Sequence, residues 1–191
     1  LWDQSSSAWV FQAQKMNREI AWFGRTFTVE AAQVQAINPL LIMIFIPLFN
    51  FGLYPAISKV WRLTPMRKVG LGFALTAAAF CMSYLIEIDI ALGGVPHVGW
   101  QVLAFVILTA AETMVSITVL EYAYTQAPNT MKSLIMSLNM LSVAIGNFFT
   151  FAVNRAIAEY DTTKFFQGPR YYAFFVATMT TTTVIFAVVS R

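Results

Sequence analysis

Five long stretches of this 191-residue chain contain almost no charged side chain. They cover residues 31–58, 69–86, 98–120, 134–154 and 171–190. Glu112 is the one charged residue in any of them. A helix that crosses the hydrocarbon core of a bilayer needs about 20 mainly apolar residues. Because a segment inside lipid must satisfy its own backbone hydrogen bonds, these runs predict transmembrane helices and an all-α membrane protein.

The composition excludes the main classes of soluble protein. Hydrophobic residues make up 58% of the chain, charged residues only 11%, and the mean hydropathy is +0.65. A soluble domain usually has about 25% charged residues. The 12 basic and 9 acidic residues give a net charge of +3, and the basic ones form no dense stripe. We therefore expect the lipid bilayer as the surroundings and no nucleic-acid partner.

The chain is also poor in residues that bind metals or perform catalysis. It contains one cysteine, Cys81, and one histidine, His97, which are too few for a zinc or iron–sulfur site. The common hydrolase and nucleotide-binding motifs do not occur in the sequence. We predict neither an enzyme nor a site for a metal or organic cofactor.

Six helices are predicted over the whole chain. They cover residues of about 1–16, 31–58, 66–88, 98–126, 131–156 and 169–190. The chain has no initiator methionine, and its first residues already read as part of a helix. We therefore expect the chain to be a fragment of a longer protein.

The charges between the helices predict an orientation. Six basic residues and no acid lie in three short segments close to helix ends: Lys59, Arg62, Arg67, Lys68, Lys132 and Arg191. Positive charge of this kind marks the cytoplasmic side of a membrane protein. The C-terminus is therefore predicted in the cytoplasm, and the segments with most of the acids, Glu87 and Asp89 among them, are predicted outside.

Three acids remain once the six assigned to the outer segments are set aside: Asp3, Glu112 and Glu121. A carboxylate at the middle of a membrane helix costs about 2.5 kcal/mol or more, so it usually has a role. Glu112 lies mid-span with Ser116 one turn further on, and it is either functional or a neutral core acid. Glu121 faces the opposite side, where a structural ion pair and a transport role both remain open.

Two amides inside apolar helices are further candidates. Asn38 precedes Pro39, a position at which the proline leaves a backbone carbonyl without its helical donor. Asn139 lies in an otherwise apolar segment. Each amide is explained equally well by a hydrogen bond between helices or by a polar binding site.

Residues 111–147 resemble a known family. Their sequence includes the pattern ExxxSxTxLEYxYxQAP, from Glu112 to Pro128, followed by Met131, Lys132 and Ser133. This pattern is similar to the tenth and eleventh helices of the proton-dependent oligopeptide transporters, a branch of the major facilitator superfamily. Residues 2–12 and 35–54 resemble the seventh and eighth helices. The resemblance implies the C-terminal six-helix bundle of a twelve-helix transporter, with the N-terminal bundle outside this chain.

The resemblance also implies roles for particular residues in binding. Glu112 matches the glutamate that faces the amino terminus of the peptide and exchanges protons, and Ser116 is its neighbour. Asn38 matches an asparagine near the peptide backbone. Asn139 stands where many members have tryptophan, a departure that leaves the shape of the pocket open.

Gate residues follow from the same resemblance. Asp3 matches an acid that pairs with the N-terminal bundle and closes the outer gate, and it takes part with Glu112 in proton coupling. Leu120 and Met136 match the apolar gate on the cytoplasmic side.

The predicted function is symport of di- and tripeptides with protons across the cytoplasmic membrane of a bacterium. One alternative is a member of the same family with another substrate, such as nitrate or a glycosylated metabolite. Another is a membrane anchor subunit without transport activity, for which the acids inside the helices would be dispensable.

Overall fold

The computed structural model describes residues 8–22, 25–28, 30–59, 64–160 and 168–190. Seven α-helices, one π-helical segment and one β-hairpin form the described part of the chain. In chain order they are α1 (Ala8–Gln14), β1 (Glu19–Trp22), β2 (Arg25–Thr28), α2 (Ala31–Pro47), the π segment (Leu48–Leu53), α3 (Tyr54–Ser58), α4 (Pro65–Ala91), α5 (Gly99–Gln126), α6 (Lys132–Tyr160) and α7 (Pro169–Val189).

The helix ends follow local sequence signals. Thr64 caps α4, since its hydroxyl oxygen accepts a hydrogen bond from the backbone N–H of Arg67 at 3.4 Å. Pro65 and Pro169 occupy the first turns of α4 and α7, where a missing N–H has no cost. Just after α4, Gly93 adopts φ 87°, a left-handed conformation that ends the helix.

Helix α2, the π segment and α3 follow one another without a break over residues 31–58. Pro47 is the last residue of α2, and the π segment begins at the next residue. A proline has no N–H to donate to the preceding turn, so the regular ladder of hydrogen bonds is interrupted at Pro47, directly before the change of helix type.

Helix α4 is central to the packing. It lies against α5 along most of its length and against α7 on another side. An aromatic cluster joins these helices to α1: the Trp9 ring is 5.0 Å from that of Phe105 and 5.9 Å from that of Phe80. Trp9, Phe80 and Phe105 are all at most 2% exposed, so burial of aromatic surface fixes the short α1 against the bundle.

The predicted fold class is confirmed within the described residues. Five helices are long and apolar enough to span a membrane: Ala36–Ser58, Pro65–Ala91, Gly99–Gln126, Lys132–Ile157 and Pro169–Val189. The chain is therefore a multi-pass membrane protein. The first and fourth of these spans are hardly buried inside the chain, whereas the third, within α5, is the most buried.

The sequence did not predict the hairpin between α1 and α2. Strands β1 and β2 pair antiparallel, with Glu19 opposite Thr28. The loop before α5 holds the base of this hairpin: Asn17 donates its backbone N–H to Pro96 O at 3.0 Å and accepts one from Val98 at 2.9 Å. Two segments about 80 residues apart in the chain are thus joined at one end of the bundle.

Candidate functional site

Glu112 lies near the middle of α5 and is half-buried. Its neighbours Ala111 and Thr113 are buried, at 0% and 4% exposure. The next predicted site residue, Ser116, is exposed four residues further along the same helix. Positions four apart lie on one face of a helix, so the two side chains form a polar stripe that passes from the interior to the surface.

Asn38 joins this stripe from α2. Its side-chain Oδ1 accepts a hydrogen bond from the hydroxyl of Thr109, which is 0% exposed. Thr109 precedes Glu112 by three residues, an axial rise of about 4.5 Å on an α-helix. The structure therefore brings Asn38 to within about one helical turn of Glu112, although they are 74 positions apart in the sequence.

Asn139 and Met136 lie together on α6, three residues apart and both half-buried. Leu120 lies near the C-terminal end of α5 and is 37% exposed. Helix α6 packs against α5. Three of the predicted residues are thus on adjoining helices, while Asp3 lies outside the described residues.

Glu121 is exposed on α5. In the part of the chain that the structure describes, it forms no ion pair with a lysine or arginine. The ion pair that was one of the two interpretations of Glu121 is therefore not found among the described residues.

A second polar cluster was not predicted from the sequence; it consists of Gln12, Lys15, Ser83 and Glu87. Glu87 was predicted in an outer segment, whereas the structure places this residue inside α4 at 4% exposure. Gln12 Nε2 donates to Glu87 Oε2 and to the Ser83 carbonyl oxygen, both at 2.9 Å. The Ser83 hydroxyl donates to Gln12 Oε1 at 2.9 Å, and Lys15 Nζ lies 3.6 Å from Glu87 Oε1.

A periodic signal for this cluster was present in the sequence. Thr76, Ser83 and Glu87 are separated by seven and four residues, which places them on one face of α4. All three are buried. The predicted helix 66–88 ended one residue after Glu87, so Glu87 was assigned to the segment outside the membrane and not to a face of the helix. In the structure α4 continues to Ala91.

Among the described residues, no group of three or more histidine, cysteine, aspartate or glutamate side chains could hold a metal ion. The polar groups of the site are instead carboxylate, amide and hydroxyl. Such groups bind ammonium, amide and carbonyl groups through hydrogen bonds and charge.

Comparison with known proteins identifies relatives of this chain. The sequence profile described as "PTR2: POT family" matches residues 1–187. Peptide transporter PTR2 of Saccharomyces cerevisiae is 36% identical over 148 residues, which covers 71% of this chain and 25% of that protein. Solute carrier family 15 member 2 of Oryctolagus cuniculus is 38% identical over 121 residues, covering 63% of this chain and 16% of the relative.

Solved structures show the same fold. An auto-inhibited POT family peptide transporter superposes with a TM-score of 0.87 at 33% identity, covering 100% of this chain and 37% of that one. The POT family transporter PepTSo gives a TM-score of 0.79 at 36% identity, covering 97% of this chain and 37% of that one. This chain therefore spans little more than a third of the proteins whose structures it matches.

Proposed function

This chain belongs to the POT family, and from that membership we propose that it forms the C-terminal half of a proton-coupled symporter of di- and tripeptides. The observation that supports this most directly is the stripe on α5 with Asn38 beside it. From Glu112 to Ser116 the stripe rises about 6 Å. An extended dipeptide is about 7 Å long, so the two groups are spaced to contact different parts of such a substrate.

Each group of the stripe suits one part of a peptide. The Glu112 carboxylate binds the amino terminus, and Asn38 and Ser116 bind the backbone. Asn139 on the neighbouring α6 contributes to the side-chain pocket. A dipeptide is a zwitterion, and no lysine or arginine lies in the five charge-poor stretches. The cation for the peptide carboxylate is supplied by the N-terminal half.

Proton coupling uses the acids. While Asp3 or Glu112 is charged, it pairs with a basic group of the N-terminal bundle and holds the two halves in one arrangement. Protonation removes the charge and releases the pair, which allows the halves to rock in alternating access. Leu120 and Met136 close the pathway on the cytoplasmic side, and Asp3 helps to close it outside.

Two of the membrane spans are hardly buried within this chain, which fits a protein whose N-terminal half packs against them. Helices α2 and α6 flank α5, yet almost none of their length is buried within this chain. The exposed faces meet lipid on one side and the N-terminal bundle on the other. We place the protein in the cytoplasmic membrane of a bacterium with its C-terminus inside. It acts as a transporter and not as an enzyme, with protons as the coupling ion and no other cofactor.

The test is uptake of radiolabelled dialanine by the full-length protein in proteoliposomes with an imposed pH gradient. Glu112→Gln removes the charge with little change of shape and is expected to abolish proton-driven uptake. Glu159→Gln is the matched control, because Glu159 is exposed and, among the described residues, pairs with Arg155 on its own helix at 3.0 Å. The control is expected to transport normally.

Near-normal uptake by Glu112→Gln would contradict the proposed role of this glutamate. Wild-type proteoliposomes that take up no dialanine would contradict peptide transport itself. Competition by nitrate or a glycoside, without competition by unlabelled peptide, would identify the alternative substrate class.

A further inference from the structure

The imidazole of His97 connects the hairpin to the start of α5. Its Nδ1 lies 3.0 Å from the backbone nitrogen of Gly99, and its Nε2 lies 3.0 Å from the backbone carbonyl oxygen of Glu19. We propose that this ring is a proton sensor, which holds the junction of residues 17–19 with residues 96–99 while it is neutral and releases it when protonated. Only the side of the membrane on which the junction lies rests on the proposed function.

The two contacts fix where the ring carries its proton. A backbone carbonyl oxygen can only accept a hydrogen bond, so Nε2 of His97 donates to Glu19. A backbone N–H can only donate, so Nδ1 accepts from Gly99 through its lone pair. Turning the ring over would place carbon atoms at both positions and lose both bonds. Only the neutral ring with its proton on Nε2 therefore satisfies the two partners.

The Nδ1 atom of His97 caps α5. Gly99 is the first residue of this helix, and the N–H groups of a first helical turn have no acceptor within the helix. Val98, at the N-cap position, contributes no side-chain hydrogen bond. His97 thus supplies the acceptor that serine, threonine or asparagine commonly supplies at a helix start.

A second proton on the ring would reverse this interaction. It would occupy the lone pair of Nδ1 and point at the Gly99 N–H, so that two donors face each other. The positive charge would also lie at the N-terminal end of a helix, where backbone N–H groups already carry partial positive charge. Histidine side chains typically gain this proton between pH 5 and 8. His97 is exposed, so protons reach it from solution.

The charged side chains around the junction leave the ring free to respond. Among the described residues, His97 forms no ion pair. Two basic and four acidic residues lie on the elements at this end of the bundle: Lys15, Arg18, Glu19, Glu30, Glu87 and Asp89. Because the acids outnumber the bases, the local charge attracts protons to this end.

Release of the ring would loosen a second contact in the same turn. Val98 donates its backbone N–H to the Asn17 carbonyl oxygen at 2.9 Å, one residue before Gly99. Asn17 lies three residues after the end of α1, so the junction also holds that end of α1. In the proposed orientation this end faces the outer solution, from which a symporter takes its protons. Acidification of the outside therefore loosens the attachment of α1 to α5.

The experiment measures amide hydrogen exchange of the full-length protein in lipid nanodiscs at about pH 5 and pH 8, the limits of histidine titration. Protection is expressed relative to the intrinsic exchange rate at each pH. We expect protection in residues 95–102 to fall about three- to tenfold in acid, the effect of losing one hydrogen bond. The start of α4 is an internal control, because the Thr64 hydroxyl that caps it at Arg67 does not titrate.

His97→Asn is the matched variant. An asparagine side chain accepts a hydrogen bond from the backbone two residues further on, and it does not titrate. Protection in residues 95–102 of this variant should be the same at both pH values. Equal protection of the wild type at both pH values, or the same acid loss in His97→Asn, would overturn the inference.

Nitrogen NMR of the histidine-labelled wild type gives a second measurement, which does not depend on the folding of His97→Asn. The signal of His97, assigned by its absence from His97→Ala, should show Nδ1 without a proton at pH 8 and with one at pH 5. A proton on Nδ1 at pH 8, or none at pH 5, would overturn the inference. A junction that responds to pH in a protein without dialanine uptake would contradict the proposed function and leave the proton sensor standing.

Discussion

The side-chain amide of Gln12 in α1 donates a hydrogen bond to the Glu87 carboxylate in α4 at 2.9 Å. The same amide group is bonded to Ser83 through both its nitrogen and its oxygen. Glu87 is 4% exposed and Gln12 is 1% exposed, so these bonds form out of contact with solvent. A buried carboxylate is stable only with such partners, and α1 is thereby tied to the bundle by polar as well as aromatic contacts.

We predict that Gln12→Leu lowers the free energy of unfolding by about 2 kcal/mol or more. Leucine removes three hydrogen bonds and leaves Ser83 and Glu87 with buried polar groups that have lost a partner. Gln14→Leu is the control, because Gln14 is exposed on the same helix. Denaturant unfolding of the purified protein in detergent measures both; equal stability of the two variants would contradict the prediction.

The close contact between α4 and α5 at Gly72 yields a second prediction. A Cβ atom added at Gly72 would collide with Val115 Cγ2 and lie 3.2 Å from the Ala111 carbonyl oxygen. Gly72→Ala should therefore destabilise the protein by about 1–3 kcal/mol, because neither the short valine nor the helix backbone can easily give way.

Gly70→Ala on the same helix provides the comparison for Gly72→Ala. A Cβ at Gly70 would meet Phe186 at 3.6 Å, an ordinary contact distance. Alanine also gains about 0.5–1 kcal/mol over glycine inside a helix, so this variant should be neutral or slightly more stable. Thermal unfolding in detergent measures the pair. A Gly70→Ala variant that loses as much stability as Gly72→Ala would refute the steric argument.

Much of the architecture could be predicted because membrane helices are long runs with almost no charged residues. The charge-free runs are visible along one dimension, and the described helices end within a few residues of the predicted ranges. Glu87 shows the limit of that reasoning. A charged residue near the end of an apolar run belongs equally to a helix end or a loop, and only the packing of α1 onto α4 distinguishes them.

The candidate site could be predicted only in part, because some of its contacts depend on the tertiary structure. Glu112 was recognisable alone, because an acid in the middle of an apolar run is unusual. The partner of Asn38 was not, because Thr109 is one of many threonines in the chain and lies 71 positions away. Hydrogen bonds between distant segments leave no periodic trace in the sequence.

We predict that Asp3→Asn weakens closure of the outer gate in the full-length transporter. Asparagine cannot form the charged pair with the N-terminal bundle that we propose, so the outward-open state should gain population. Cysteine accessibility from the outside measures this state, and uptake at several pH values measures coupling. Unchanged accessibility together with an unchanged pH dependence would show that Asp3 has no gate function.

The last prediction concerns the contact between the hairpin and the loop before α5. Gly99 donates its backbone N–H to His97 Nδ1 at 3.0 Å, so the ring proton lies on Nε2 and is donated to the Glu19 carbonyl oxygen, also at 3.0 Å. The imidazole thus bridges the base of β1 and the start of α5. It reinforces the two backbone bonds that Asn17 forms with Pro96 and Val98.

His97→Ala removes this bridge, and we expect faster amide hydrogen exchange at Asn17 and Val98. The bridge uses the main-chain carbonyl of Glu19 and not its carboxylate. Glu19→Gln should therefore leave exchange unchanged, which makes it a sharp control. Mass spectrometry of peptides covering residues 15–22 and 95–102 measures both variants. Protection that is equal in His97→Ala and the wild type would mean that the backbone bonds alone hold the hairpin against the loop, and that the histidine adds nothing to them.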